Sequence, residues 1–377
     1  MLGRKFFRRL WVVGGLLLLN ACVSPPVRHG MIDHPTVAAG AEAAVYETPD
    51  HVQLFGQWWN LSQPLAVVLI VHGTALHSGF YAPLAQHLQE AGYAVGAIDL
   101  RGWGQSGGFG HRRGYIGNYD EYVLDLEQLA ADARQRYPGK QVYLLGESLG
   151  GAVVLLAQLE HAVPNNGLIL SAPAVWANPG LFGWHAPHAL MAPVMWSGKV
   201  IGETFPNLPL LPIWRPIVNQ VFFDEEARER FMQDPNNTHT WLPASYVNGL
   251  YDAMLRIRYQ TPQIQAPMLI LQGTKDNLVP FDSSEFLCQN SSSQDKTLIR
   301  YDGMSHALLS DFGREAVWGD IVHWLTDHVQ QKAVVTYNGC PWMVDALTPP
   351  HLHADWIHLP WSKTPSTSHP AASTSQE

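Results

Sequence analysis

Short apolar runs separated by helix-length amphipathic segments recur along most of this chain. Val67-Val68-Leu69-Ile70-Val71 and Val95-Gly96-Ala97-Ile98 read as buried strands, with a helical segment near Tyr81 to Ala91 between them. Asp120 to Arg136 places Val123, Leu124, Leu126, Leu129 and Ala130 at helical spacing, and the apolar run Val142-Tyr143-Leu144-Leu145 follows it. Gly151 to Ala157 is again helical, and Gly167 to Leu170, Met268 to Leu271 and Leu298 to Tyr301 supply three more strand patterns. Strands alternating with helices predict an α/β fold, a mostly parallel central sheet with helices on both faces.

Between Ala174 and Ile264 this rhythm breaks into a stretch rich in Trp, Met, Pro and Leu without clean strands. From Trp176 to Arg215 only Lys199, Glu203 and Arg215 carry formal charge, against large apolar residues such as Trp184, Met195, Trp196, Phe205 and Trp214. One reading is a helical subdomain with its own small core. The sharper one is an inserted apolar lid that leaves part of its surface exposed to grip acyl chains or touch a membrane. The core is then expected in two parts, 43–173 and 265–331, with the lid over 174–264. Residues 332–377 form a C-terminal extension that ends in a Ser/Thr/Pro tail expected to be disordered.

The N-terminus changes the cellular picture. Arg4, Lys5, Arg8 and Arg9 precede the apolar run Leu10 to Leu19, which meets Asn20-Ala21-Cys22. This is the pattern of a signal peptide over residues 1–21. The ten residues from Leu10 to Leu19 rise about 15 Å, half of a bilayer's hydrocarbon core, so a transmembrane helix fits less well. Leu19-Asn20-Ala21-Cys22 resembles a bacterial lipoprotein box, although Asn20 departs from the usual small or branched residue. The resemblance implies cleavage before Cys22, lipid on its sulfur and a linker over 22–42. With Val23 and Ser24 following, it also implies an exported protein anchored in the outer membrane.

Composition adds exclusions. The net charge of −9, from 23 basic and 32 acidic residues, is spread without long blocks and leaves no electrostatic footprint for nucleic acid. Beyond Cys22 only Cys288 and Cys340 remain. An exported protein sits where disulfides persist, and neither a bridge nor a buried free thiol is favoured by the spacing. His351, His353 and His358, with the one adjacent acid Asp355, do not make a metal set.

Candidate chemistry centres on Gly146-Glu147-Ser148-Leu149-Gly150, between an apolar strand and an apolar helix. A strand that turns at once into a helix forces its corner residue into a strained conformation, and flanking glycines remove the clashes, so the hydroxyl of Ser148 stands proud of the sheet as a nucleophile. Gly104-Gln105-Ser106-Gly107-Gly108 matches the same frame but has no helix after it, so Ser106 reads as a loop residue. A serine nucleophile needs a base, and the base an orienting carboxylate. His306 and Asp276 each lie just past a strand pattern, where an open parallel sheet gathers its reactive groups. Asp302 and Asp311 are alternative acids that fit less well, one too close in sequence before His306 and one after it. The order Ser148, Asp276, His306 is that of α/β-hydrolases. Leu149 N–H and Thr74 N–H are the candidate oxyanion donors. His72, directly before Gly73, reads as a loop-shaping residue.

Together, His72-Gly73-Thr74-Ala75-Leu76-His77-Ser78-Gly79, Asp99 to Ser106, Gly146 to Gly151, Leu271 to Asp276 and Tyr301 to His306 resemble the monoacylglycerol lipase and lysophospholipase family of α/β-hydrolases, grouped with serine aminopeptidase-like hydrolases. The resemblance covers residues 45 to 330. It implies hydrolysis of single-chain acyl esters, with the family's catalytic roles carried to Ser148, Asp276 and His306, its oxyanion donors to Thr74 and Leu149, and no cofactor. Transfer of the acyl group to an alcohol, or hydrolysis of small soluble esters, would use the same residues. A peptidase remains open because fold does not fix function, and a non-enzymatic lipoprotein is disfavoured by the full set of site residues.

Overall fold

The computed structural model describes residues 35–108, 113–177, 199–213, 215–330 and 340. The expected leader, Cys22, lid residues 178–198 with Trp214, and the extension other than Cys340 lie outside the described residues. Six parallel strands carry the fold: β3 (Val67–Val71), β4 (Ala94–Ile98), β5 (Val142–Glu147), β6 (Gly167–Ser171), β9 (Met268–Gly273) and β10 (Lys296–Tyr301). Every residue of β3, β4, β5, β6 and β9 is buried. A strand covered on both faces has no solvent side to populate with polar residues, hence the unbroken apolar runs.

At one edge β1 (Glu42–Glu47) and β2 (Gln53–Trp59) add an antiparallel pair, completing the order β1-β2-β4-β3-β5-β6-β9-β10. The apolar pattern gives no sign of this pair: β1 is mostly exposed, and β2 mixes Gly56 and Gln57 with aromatic residues. The sheet is that of an α/β-hydrolase. Its parallel register aligns Val71 with Gly146, Glu147 with Ser171 and Tyr301 with Gly273, so the loops after these strands open side by side on one edge.

Although 96 residues separate them in the chain, β6 and β9 are hydrogen-bonded neighbours, so residues 172–267 leave and re-enter between adjacent strands. This insertion contains helices Arg215–Val221, Glu225–Gln233 and Ala244–Gln260, with Asp224 capping the second by accepting from Glu226 N–H and Ala227 N–H. The expectation of no clean strands there is corrected by β7 (Pro209–Pro212) and β8 (Trp241–Pro243), which pair antiparallel. Both are too short and proline-rich to leave a period in the sequence. Val200, Ile201, Phe205, Leu210 and Trp241 expose between 38% and 58% of their surface. Cys288, on helix Phe281–Asn290, is joined to Cys340 by a disulfide, the bridge of the two alternatives.

Arg101, in the turn after β4, is buried with its Nε and Nη2 donating to Asp125 Oδ1 at 2.9 and 2.7 Å, while its backbone N–H donates to Asp125 Oδ2 at 2.8 Å. Asp125 lies on helix Asp120–Arg136 and is fully buried. Removing Asp125 takes the acceptor from Nε, Nη2 and the backbone amide, while the guanidinium keeps its pairs with Asp50 and Glu121. Asp125→Ala is expected to lower stability by about 1.5–3 kcal/mol, read from the midpoint of urea unfolding.

Candidate active site

β5 ends at Glu147 and helix Leu149–Leu159 begins two residues on, leaving Ser148 alone to turn the chain. It does so at φ +53° and ψ −109°, where a non-glycine residue carries about 1–3 kcal/mol of strain. Close packing imposes the turn: a Cβ on Gly150 would stand 2.0 Å from the Val71 carbonyl oxygen, and one on Gly146 2.4 Å from the Gly150 carbonyl oxygen. Ser148 N–H donates to Ser171 O at 2.9 Å, and its own carbonyl accepts from Ala152 N–H at 3.1 Å and Ala174 N–H at 3.0 Å. The side chain is half-buried and its hydroxyl makes no hydrogen bond among the described residues. Contacts between a nucleophile and its base are often long before substrate binds. Ser106, by contrast, is a buried turn residue, with Oγ donating to Asp99 O and accepting from Phe55 N–H.

The structure brings Asp276 and His306 together from the loops after adjacent strands β9 and β10. His306 Nδ1 meets Asp276 Oδ2 at 2.7 Å, and both side chains are buried. Asp276 is itself aimed: Oδ1 accepts Leu278 N–H and Val279 N–H at 2.8 and 2.9 Å, and Oδ2 also accepts from Gln272 Nε2 at 3.0 Å. Gln272 is held in turn by Ser284 Oγ and Val279 O. A carboxylate at Nδ1 keeps the proton there and leaves Nε2 as the basic nitrogen. Burial disfavours the imidazolium, but the Asp276 charge and hydrogen bond, with the Glu147 charge, outweigh it and hold His306 above its ordinary value. Asp302 instead accepts from Thr274 Oγ1, and Asp311 from the N–H groups of Phe223, Asp224 and Phe312.

The loop after β3 is fixed residue by residue. His72 Nδ1 donates to Gly73 O at 2.8 Å while its Nε2 accepts Leu100 N–H at 3.1 Å, the loop-shaping place expected of it. Burial pushes this imidazole down to about 4, so it stays neutral. Gly73 N–H donates to the Tyr81 hydroxyl at 2.9 Å, Thr74 Oγ1 meets the Tyr246 hydroxyl, and Ala75 O accepts Thr238 N–H at 2.9 Å. Ala75 sits at φ +68°, a second strained non-glycine residue at the same edge. Leu149 N–H belongs to the first turn of its helix, where amides have no intrahelical acceptor and the dipole is positive. Thr74 N–H and Leu149 N–H thus lie on the two elements that Gly150 and Val71 press together.

Sequence reasoning missed Glu147, Tyr81, Tyr246 and Gln272. For Glu147 a signal was present: an acid between an apolar strand and an apolar helix has no water to face. Tyr246, on the inserted segment, ties that segment to Thr74. The inserted segment reaches the other side as well, where Ala307 N–H donates to Val221 O at 3.3 Å.

Comparison with known proteins gives consistent relatives. The family model described as "Serine aminopeptidase, S33" matches residues 62–312. The chain is 29% identical to a monoacylglycerol lipase of Mycolicibacterium smegmatis over 79% of its length and 98% of that protein. It is 30% identical to a monoglyceride lipase of Rattus norvegicus, over 77% of this chain and 91% of the relative. Among solved structures, the Paleococcus ferrophilus monoacylglycerol lipase superposes with a TM-score of 0.61 at 26% identity, covering 76% of this chain and 99% of that one.

Two outcomes follow from the packing and the charges. Gly150→Ala should cost about 3 kcal/mol or more in urea unfolding, because backbone rather than a side chain blocks the new methyl. For Asp276→Asn the sign is fixed by what Asp276 does to His306: the base form is lost as pH falls through a value above 6.5, and without the carboxylate burial pulls that value down. The acid limb of kcat/KM should therefore move to lower pH while kcat falls about 10³–10⁴-fold, measured on a chromogenic ester.

Proposed function

Because the chain belongs to the serine aminopeptidase S33 family of hydrolases, and is a serine carboxylic-ester hydrolase with monoacylglycerol lipases among its relatives, we propose that it cleaves single-chain acyl lipids, monoacylglycerols or lysophospholipids, through an acyl-enzyme on Ser148. The observation that carries the reading is the buried Asp276–His306 pair on the strand ends beside a serine held in a left-handed corner. In this mechanism Ser148 Oγ bonds to the ester carbonyl carbon and its proton passes to His306 Nε2. Thr74 N–H and Leu149 N–H hold the oxyanion. Collapse breaks the bond to the alcohol, which leaves with the proton from His306. Water then attacks the acyl-enzyme, gives its proton to His306, and the fatty acid departs as Ser148 regains its hydrogen.

An acyl substrate suits the inserted segment, whose Val200, Ile201, Phe205 and Trp241 are exposed and offer apolar contact. The N-terminal pattern supports an exported lipoprotein held at a membrane through Cys22, and the Cys288–Cys340 bond fits an oxidising compartment.

A fluorophosphonate probe should label wild-type protein at Ser148 and leave Ser148→Ala unlabelled, with the variant's esterase rate reduced about 10⁴-fold or more. Offered monoacylglycerols, lysophospholipids, short p-nitrophenyl esters and an aminoacyl p-nitroanilide, the enzyme should prefer the single-chain lipids. Cleavage of the anilide alone would overturn the ester assignment, and cleavage of short esters alone the lipid assignment. Cys22→Ser should shift the protein from the membrane to the soluble fraction after cell fractionation; continued sedimentation with membranes would remove the lipid anchor from the reading.

A further inference from the structure

Glu147 is a buried acid beside the corner serine that the mechanism above does not use. Only 2% of it is exposed. The Tyr81 hydroxyl donates to its Oε2, and the same hydroxyl accepts Gly73 N–H at 2.9 Å, so a two-bond chain runs from the end of β5 to the loop after β3. The carboxylate also lies directly under that loop: a Cβ built on Gly73 would be 3.5 Å from Oε2 and 3.5 Å from the Glu147 carbonyl oxygen. Its second oxygen, Oε1, is buried without a hydrogen bond of ordinary geometry, with only the weaker pull of the Leu309 backbone. A structural role alone would not call for a charge in such a place, since a buried acid with half its acceptors unfilled is costly.

We propose that Glu147 is a positioning residue of the acyl-transfer site: its carboxyl group holds the Tyr81 hydroxyl against the Gly73 amide, which fixes the oxyanion loop. The inference rests on the reading of Ser148, Asp276 and His306 given above. The loop needs such a hold because Ala75, one residue past the candidate donor Thr74, is at positive φ and would relax if its neighbours were released. Tyr81 is suited to the bridge because a phenol donates and accepts at once. It is fully buried, and burial, with the Glu147 charge, pushes its ionisation well up, so it remains a neutral donor throughout the working range.

The charges that face one another come from three strand ends and one turn. His306 is met by Asp276 from the loop after β9 and by Glu147 from the end of β5. Glu147 is met by Tyr81 from the turn Ser78–Tyr81, by His306, and by Asp276. Burial raises the Glu147 carboxyl, Tyr81, His306 and the Leu309 backbone oppose that, and Asp276 adds to it. The imidazolium formed when Ser148 gives up its proton is hydrogen-bonded to Asp276, while Glu147 grips the oxyanion loop through Tyr81.

Two variants test the bridge. Glu147→Gln keeps an acceptor for the Tyr81 hydroxyl. Tyr81→Phe keeps the ring but breaks the bridge. Each is assayed as the full chain on a p-nitrophenyl short-chain ester, with fluorophosphonate labelling of Ser148 and a thermal melt in parallel. Tyr81→Phe should lower kcat about tenfold with KM within about twofold, the mark of an interaction made in the transition state. Glu147→Gln should keep kcat within about threefold of wild type, because its amide oxygen still accepts the Tyr81 O–H. Wild-type kcat in Tyr81→Phe, or activity lost only in proportion to folded protein, would overturn the inference. If Tyr81→Phe does not fold, Glu147→Leu, which removes the acceptor, is read for the same fall in kcat, and a wild-type kcat there overturns the inference. Wild-type protein that fails to label at Ser148 would instead bring down the reading on which the inference rests.

Discussion

A single backbone contact sets the geometry of this molecule's reactive edge. Helix Leu149–Leu159 begins so close to the end of β3 that residue 150 has no room for a side chain against the Val71 carbonyl. That approach forces Ser148 into its left-handed turn and presses the amide-rich first turn of the helix against the loop Gly73-Thr74. The proposed nucleophile and the proposed oxyanion donors are thus coupled by one contact: a change that relaxes the serine also separates the amides. Strain at Ser148 and Ala75 survives because neighbouring strands and hydrogen bonds hold both residues from several sides.

Electrostatics at the edge works by opposition. Burial makes every charge costly there, so each ionisable group has a partner chosen by geometry: Asp276 for His306, Tyr81 for Glu147, backbone amides for the remaining oxygens of Asp276. His72, in the loop after β3, is treated in the opposite way. It has no carboxylate in hydrogen-bond contact, bridges two backbone groups, and is kept neutral by burial. Two buried imidazoles in loops at one sheet edge thereby differ through the groups that each one meets.

Much of this architecture was legible in the chain, for identifiable reasons. The strands at 67–71, 142–147, 167–171 and 268–273 are buried along their whole length, so apolarity alone marks them. Ser148 and Asp276 stand out because each closely follows such a run, and His306 because it follows the partly buried β10. The edge pair escaped notice because β1 is mostly exposed and β2, though buried, sets Gly56 and Gln57 among its apolar residues, and β7 and β8 because three or four residues cannot show a period. Tyr81, Tyr246 and the Cys288–Cys340 pairing were not legible for a different reason. Their partners lie 66, 172 and 52 residues away along the chain, and contact across such distances is a property of the folded topology, which no local pattern records.

The placement of the insertion between two hydrogen-bonded strands has a further consequence. Because β6 and β9 run parallel, the insertion starts at the carboxyl end of one strand and finishes at the amino end of its neighbour, so it must carry the chain back across the sheet whatever its length. Beyond that return path its length is not tied to strand order, and it grips the reactive edge at points that include Tyr246 at Thr74, Thr238 at Ala75, Val221 at Ala307, and Phe223 and Asp224 at Asp311. A lineage that preserves those grips can diversify in appetite while its chemistry stays fixed.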